Sequence, residues 1–175
     1  METYRAIVSK RDTRIFTDAA FSEETIHRIL QAGRMAGSAK NAQPVRLISI
    51  TDREMKAKVA ACGRSTAHVV SSALSVAIVL VPEFGVVGTP FTLFRGPFDA
   101  GRCAQNMMLA AYDLGIASCP ATLHDEAAAS VALGLPEGHY AINVIAFGCP
   151  GEERDRNSGG APRVPLDDYV HWQRW

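Results

Sequence analysis

With 175 residues, 18 Lys plus Arg against 18 Asp plus Glu and 47% apolar side chains, the chain reads as a single domain, 1–175, with ample material for a buried core. The charge balance excludes a global field that would draw it to nucleic acid or to an anionic membrane, so any anion binding must come from local clusters. Four scattered cysteines without a CxxC pair, and no opening secretory pattern, predict reduced thiols and a cytoplasmic location; the longest near-continuous apolar run, around Ala73 to Val81, is far short of the ~20 residues of a membrane helix.

In chain order, Thr3 to Val8 reads as a short helix, followed by a charged knot, Lys10-Arg11-Asp12-Thr13-Arg14, and then Phe16. Ser22 followed by Glu23 and Glu24 is a helix start, and Ile26, Ile29 and Leu30 share one face of a helix ending near Gly33 or Gly37. Ser38 to Pro44 is a polar loop and Val45 to Ile50 a strand. Asp52 to Cys62 predicts a surface helix, Ser65 to Ser72 is ambiguous, and Ala73 to Val81 is apolar enough for a strand covered on both faces. From Pro82 to Phe98, Gly85, Gly88, Pro90, Gly96 and Pro97 interrupt Phe84, Phe91, Phe94 and Phe98. The breakers predict no long regular element there, and the aromatics predict a lid.

The stretch Asp99 to Gly115 is too apolar for a surface helix: Ala100, Cys103, Ala104, Met107, Met108, Ala110, Ala111 and Leu114 leave few polar positions. Asp99 is placed as N-cap or first-turn acid and Gly115 as the left-handed end. Small residues along it predict contact with a second copy of the chain. Ile116 to Cys119 predicts a short strand stopped by Pro120, Asp125 to Leu133 a helix, and Tyr140 to Phe147 a closing strand. The polar tail Gly151 to Pro162, with Arg154, Arg156, Gly159 and Gly160, reads as mobile. The irregular alternation of strands and helices fits an α+β fold, a sheet wrapped by helices.

Several chemistries are disfavoured. Cys119 and His124 follow no nucleophile–base spacing. No two of the five histidines lie at i, i+4 on a predicted helix, which predicts no metal site, and neither GxGxxG nor GxxxxGK occurs. The basic knot and the Ser38 to Pro44 loop remain; each alone reads equally well as a solvated charge cluster or an ordinary connection.

Together they form part of a collinear series from about Ile7 to Leu166: KRDTRIF, GSAKNAQPV, DAGRCAQNMMLAAYDLGIAS, LGLPEG and FGCP. The series resembles the nitroreductase-like flavoprotein family, whose pattern is Arg-Arg-Ser-x-Arg-x-Phe, Pro-Ser-x-x-Asn-x-Gln-Pro-Trp, Asp-x-Gly with Gln-Asn, Leu-Gly-Leu-Pro and Gly-x-Pro. The resemblance implies an α+β sandwich with a mixed sheet wrapped by helices. It implies an intertwined homodimer with two FMN sites at the subunit interface and the Asp99 to Leu114 helix at the dimer core. On that resemblance, Lys10, with Arg11 beside it, stands where the family grips the flavin phosphate, and Arg14 faces the N1 and C2 carbonyl edge. There a fixed guanidinium stabilises the charge of reduced FMN as an oxyanion hole stabilises its oxyanion. Ser38, Ala39 and Lys40 correspond to the loop reaching the partner's flavin, Asn41 and Gln43 to polar positions beside it. Pro120, Ala121, Thr122 and Leu123 match the stretch whose backbone lies along N5 and O4, and Arg163 lies near the family's C-terminal phosphate-binding residues.

Asp12 departs from the family's serine. A carboxylate donates nothing to phosphate, so it must turn to an amide, the flavin N3 proton, a neighbouring arginine or the substrate. Gly37 and Val45 replace proline and tryptophan, which reads as repacking. The function implied is transfer of electrons from NAD(P)H through flavin N5 to a small flat acceptor, a nitroaromatic or quinone. The alternatives are flavin-fragmenting or dehalogenating chemistry with Asp12 in an acid–base role, and a non-catalytic flavin-binding or sensing protein.

Overall fold

The computed structural model describes residues 2–82, 90–151 and 162–175, with backbone alone for 90–94. The helices are α1 (Thr3–Ser9), α2 (Glu23–Arg34), α3 (Arg53–Ala61), α4 (Ala67–Ser71), α5 (Pro90–Asp113), α6 (Glu126–Leu133) and α7 (Leu166–Tyr169). The strands are β1 (Val45–Ile50), β2 (Leu74–Leu80), β3 (Ala117–Thr122) and β4 (Tyr140–Gly148). Capping residues start the helices as the sequence dictates: Ser22 Oγ accepts from Thr25 N at 3.2 Å, Asp52 from Met55 N at 2.7 Å and Asp125 from Ala128 N at 2.9 Å.

The strands form one sheet, ordered β1-β2-β4-β3, in which every neighbouring pair is antiparallel. Among the described residues, the parallel component expected of a mixed sheet is confined to one bridge, Asp12 to Ser118. Alternation along β2 builds two cores. Leu74, Val76, Ile78 and Leu80 pack with Ile145, Phe147, Ile29 of α2 and Met107 of α5. Ala77 and Val79 pack with Val144, Ala146, Val59 of α3, Val69 of α4 and Ala129 of α6. The result is three layers, helices on both faces of a sheet whose middle strand β2 is buried throughout. No helix among the described residues is long and apolar enough to cross a membrane.

The structure revises the sequence reading of α5. The helix begins at Pro90, passes through Pro97 and takes in Asp99, so the region before Asp99 is not free of regular structure and Asp99 is not an N-cap. The physical reason lies in Gly96, read as a breaker. A Cβ there would come within 2.8 Å of Leu80 Cδ1, so the glycine lets α5 approach β2 closely. Residues 83–89 of the expected lid, and 152–161 of the expected tail, lie outside the described residues. At its other end α5 stops as expected. Gly115 has φ +75°, Ile116 N–H donates to Ala111 O (2.9 Å) and Gly115 N–H to Tyr112 O (3.0 Å), the Schellman arrangement.

Two further expectations change. Ala100, Cys103, Ala104, Met107, Met108 and Ala111 are all buried within the single chain, so the apolar character of α5 does not by itself call for a second copy. Strand β3 also runs through Pro120 instead of stopping there. It lies at the sheet edge, where a residue without an N–H is tolerated.

Candidate functional site

The basic knot leaves α1 and runs along the outer edge of β3. Thr13 N–H donates to Ser118 O at 3.1 Å beside the Asp12–Ser118 bridge, and farther on Thr17 N–H donates to Cys149 O at 2.9 Å. Phe16 clamps this strap: it sits so close over Gly148 that an added Cβ would come within 2.5 Å of its ring.

Within the strap the charges are already organised. The Lys10 side chain is only 8% exposed; its Nζ forms an ion pair with Asp12 and lies 3.5 Å from Met108 Sδ of α5. Arg11 folds back on α1, its Nη1 donating to Val8 O and Lys10 O, both at 2.8 Å. Asp12 therefore braces Lys10 rather than its neighbour Arg11, whose guanidinium serves the exposed carbonyls at the end of α1. Arg14 is exposed.

Sequence reasoning missed His68. It is buried on α4, behind β3, and its electrostatic neighbours are Arg14, Asp12 and the backbone of Cys119 and Pro120. Burial, and then the Arg14 guanidinium, hold the imidazole below its usual proton affinity, while the backbone groups and Asp12 pull the other way. Among the described residues, His68 Nε2 and the buried Ser118 Oγ have no hydrogen-bond partner. No local pattern pointed to His68, because its charged neighbours lie more than fifty residues away in the chain.

The Ser38 to Pro44 loop forms a short 3-10 turn, Ala39–Asn41. Lys40 (φ 53°), Asn41 (φ 54°) and Gln43 (φ 49°) all have left-handed backbone without being glycine. Such strain persists only where surrounding contacts enforce it, and it accompanies functional loops. The enforcing contacts are Gln43 N–H to Ser38 Oγ (2.8 Å) and Ala39 N–H to Asp99 Oδ2 (3.3 Å). Lys40, Asn41 and Gln43 are exposed. Within one chain the strap and the loop meet α5 at Met108 and Asp99 respectively, a separation of about 13 Å along the helix.

In the stretch 120–123, Ala121 and Leu123 are buried in the second core, which leaves Pro120, Thr122 and the backbone toward the edge. His124 N–H and Asp125 N–H anchor its end on Cys62 O, at 2.8 and 3.0 Å. Arg163 lies exposed ahead of α7. A cleft of about 510 Å³ opens between α2 and the loop, lined by His27, Arg34, Ser38, Gln43, Asp99 and Cys103. Cys103 is no nucleophile there, because burial pushes its thiol up to about 11. A second cleft, about 640 Å³, borders the buried Lys56, whose ammonium donates to Ser72 O (2.5 Å) at the end of α4, the position where a cation offsets a helix dipole.

This sheet, strap and loop are those of a known family. Residues 7–66 and 75–149 match the Nitroreductase family, and the chain belongs to that family. It is 30% identical over 181 residues, 99% of both chains, to an Archaeoglobus fulgidus protein provisionally named NADH dehydrogenase/NAD(P)H nitroreductase. Among solved structures it superposes with TM-score 0.87 and 28% identity on the NADPH:FMN oxidoreductase of Vibrio harveyi complexed with NAD+, over 99% of this chain and 77% of that one. A provisionally named nitroreductase of Desulfovibrio desulfuricans in complex with FMN gives TM-score 0.85 at 27% identity, over 100% and 98% of the two chains.

Proposed function

We propose that the chain is an FMN-dependent oxidoreductase that draws electrons from NAD(P)H and passes them to a small flat acceptor such as a nitroaromatic or quinone. The observation carrying this reading is the strap: the segment that holds Lys10, Arg11 and Arg14 is joined to the outer edge of β3 through the Asp12–Ser118 bridge and Thr13 N–H to Ser118 O, next to the 120–123 stretch that in this reading lies along the flavin. The names of the relatives, NADPH:FMN oxidoreductase and NAD(P)H nitroreductase, support it. Bound FMN supplies the redox chemistry, so no side chain need act as nucleophile.

The residues suit such a group. Three cations within five positions supply charge for a phosphate and an electron-rich ring edge, and the buried Ser118 hydroxyl, without a partner among the described residues, is a donor beside them. In this reading Lys10 and Arg11 bind the phosphate and Arg14 stabilises negative charge at the N1 and C2 carbonyl edge. Pro120 to Leu123 present backbone to the other edge. Ser38, Ala39, Lys40, Asn41 and Gln43 complete the site from a second subunit, and Arg163 adds phosphate contact. The protein is then a cytoplasmic homodimer, one domain spanning 1–175 in each subunit. Exposed Tyr4 and Ile7 of α1 and Leu166, Tyr169 and Trp172 near the C-terminus give the second copy an apolar surface to cover.

The test is reconstitution with FMN followed by anaerobic addition of NADH or NADPH. Bleaching of the flavin, and recovery of its colour on adding a nitroaromatic or quinone, is the expected result. A protein that takes up no FMN sinks the proposal, and one that binds FMN but is bleached by neither nucleotide reduces it to flavin binding alone.

A further inference from the structure

We propose that Asp12 sets flavin specificity, its carboxylate weakening the preference for a phosphorylated flavin over the unphosphorylated one. The inference rests on the reading of Lys10 and Arg11 as the phosphate-binding cations. It extends that reading to the substrate class: a site that accepts and exchanges riboflavin-like as well as FMN-like molecules.

The argument begins with Lys10. Its ammonium has three donors and sits almost wholly out of solvent, against a carboxylate on one side and a thioether on the other. The sulfur is a weak acceptor, whereas the carboxylate is a strong one, so Asp12 already takes the interaction a phosphate oxygen would make. The neighbouring cation does not replace it in full, since Arg11 Nη1 is engaged by Val8 O and Lys10 O. Relative to the family's serine, the change to aspartate removes a hydroxyl donor and adds a negative charge. That carboxylate is half exposed, two residues from Lys10, where an arriving phosphate of nearly two negative charges must approach it. Toward such an ion the Lys10–Asp12 pair is close to neutral. Riboflavin carries no phosphate and meets no such repulsion, so Asp12 should leave its affinity alone.

The experiment titrates FMN and riboflavin, by quenching of flavin fluorescence, into the wild-type protein and into Asp12→Ser and Asp12→Asn. Both variants should tighten FMN by ~10-fold while riboflavin shifts by less than about two-fold, the scale of one partly exposed charge interaction. In a Lys10→Met background the gain for FMN should shrink but not disappear, because the ammonium that Asp12 would release is absent while the direct repulsion between carboxylate and phosphate is still relieved. Weaker FMN binding in both Asp12 variants, or equal shifts for the two flavins, overturns the proposal while leaving the FMN reading intact. A wild-type protein that binds neither flavin overturns the proposed function, and this specificity with it.

Discussion

Asp99 Oδ2 accepts the backbone N–H of Ala39 at 3.3 Å, tying the middle of α5 to the strained loop sixty residues earlier in the chain. The carboxylate is 4% exposed as a residue and also faces Arg102, Nη1 to Oδ1 3.6 Å. Replacing Asp99 by alanine leaves the Ala39 amide without its acceptor and should cost about 1–3 kcal/mol, the range for a buried group left unpaired. Asp99→Asn keeps an oxygen acceptor and should cost less. Urea unfolding and amide exchange at Ala39 measure both effects; unchanged exchange in Asp99→Ala would show that other contacts hold the loop.

His68 should give the fold an acid limb. Its proton affinity in the folded chain lies below the ordinary value of 6.5, so below that pH the unfolded state binds more protons than the native one. The stability this group contributes is complete above pH 6.5 and is lost as pH falls from there toward the lowered folded value. His68→Asn should flatten the pH dependence of the urea midpoint in that window while leaving the stability due to carboxylates unchanged. Parallel profiles for wild type and variant would remove His68 as the cause.

Arg14→Ala should impair flavin reduction by NAD(P)H more than it impairs FMN binding, because negative charge at N1 and the C2 carbonyl grows only on reduction. Loss of one preorganised donor of this kind costs ~2.7 to 4 kcal/mol of barrier. Separate measurement of the FMN dissociation constant and the reductive half-reaction decides the matter. Equal losses in both would move Arg14 to the phosphate.

Burial within one chain makes Met108→Glu a test of folding rather than of assembly, since its side chain lies in the core under the sheet. The proposed dimer is better tested at side chains that are open in the single chain. Tyr169 is 75% exposed and Trp172 82% exposed, so Tyr169→Asp with Trp172→Asp should leave the melting of the subunit core little changed. Mass measured in solution by light scattering should fall from two chains to one, with loss of bound FMN. A monomer that keeps stoichiometric flavin would show that one chain builds the whole site.

Local chemistry wrote much of this fold into the sequence. Ser22, Asp52 and Asp125 satisfy amide groups of their own helices, Gly115 and Gly134 take the left-handed ends, and the apolar run of β2, interrupted only by Ser75, suits a strand covered on both sides. The ordered series from KRDTRIF to FGCP carried the family, because spacing along the chain survives where single motifs are ambiguous. Tertiary structure decided what depends on partners distant in sequence. Gly96 reads as a breaker until Leu80 is seen against it, and Asp99 reads as a cap until Ala39 claims its oxygen. Pro120 stays in a strand because that strand is an edge, and Asp12 pairs with Lys10 because Arg11 is turned back onto α1. His68 acquires its charged neighbours only when the strap is laid along β3. In each case the deciding interaction is a contact between segments far apart in the chain or a competition among neighbouring charges, and neither leaves a periodicity for the sequence to display.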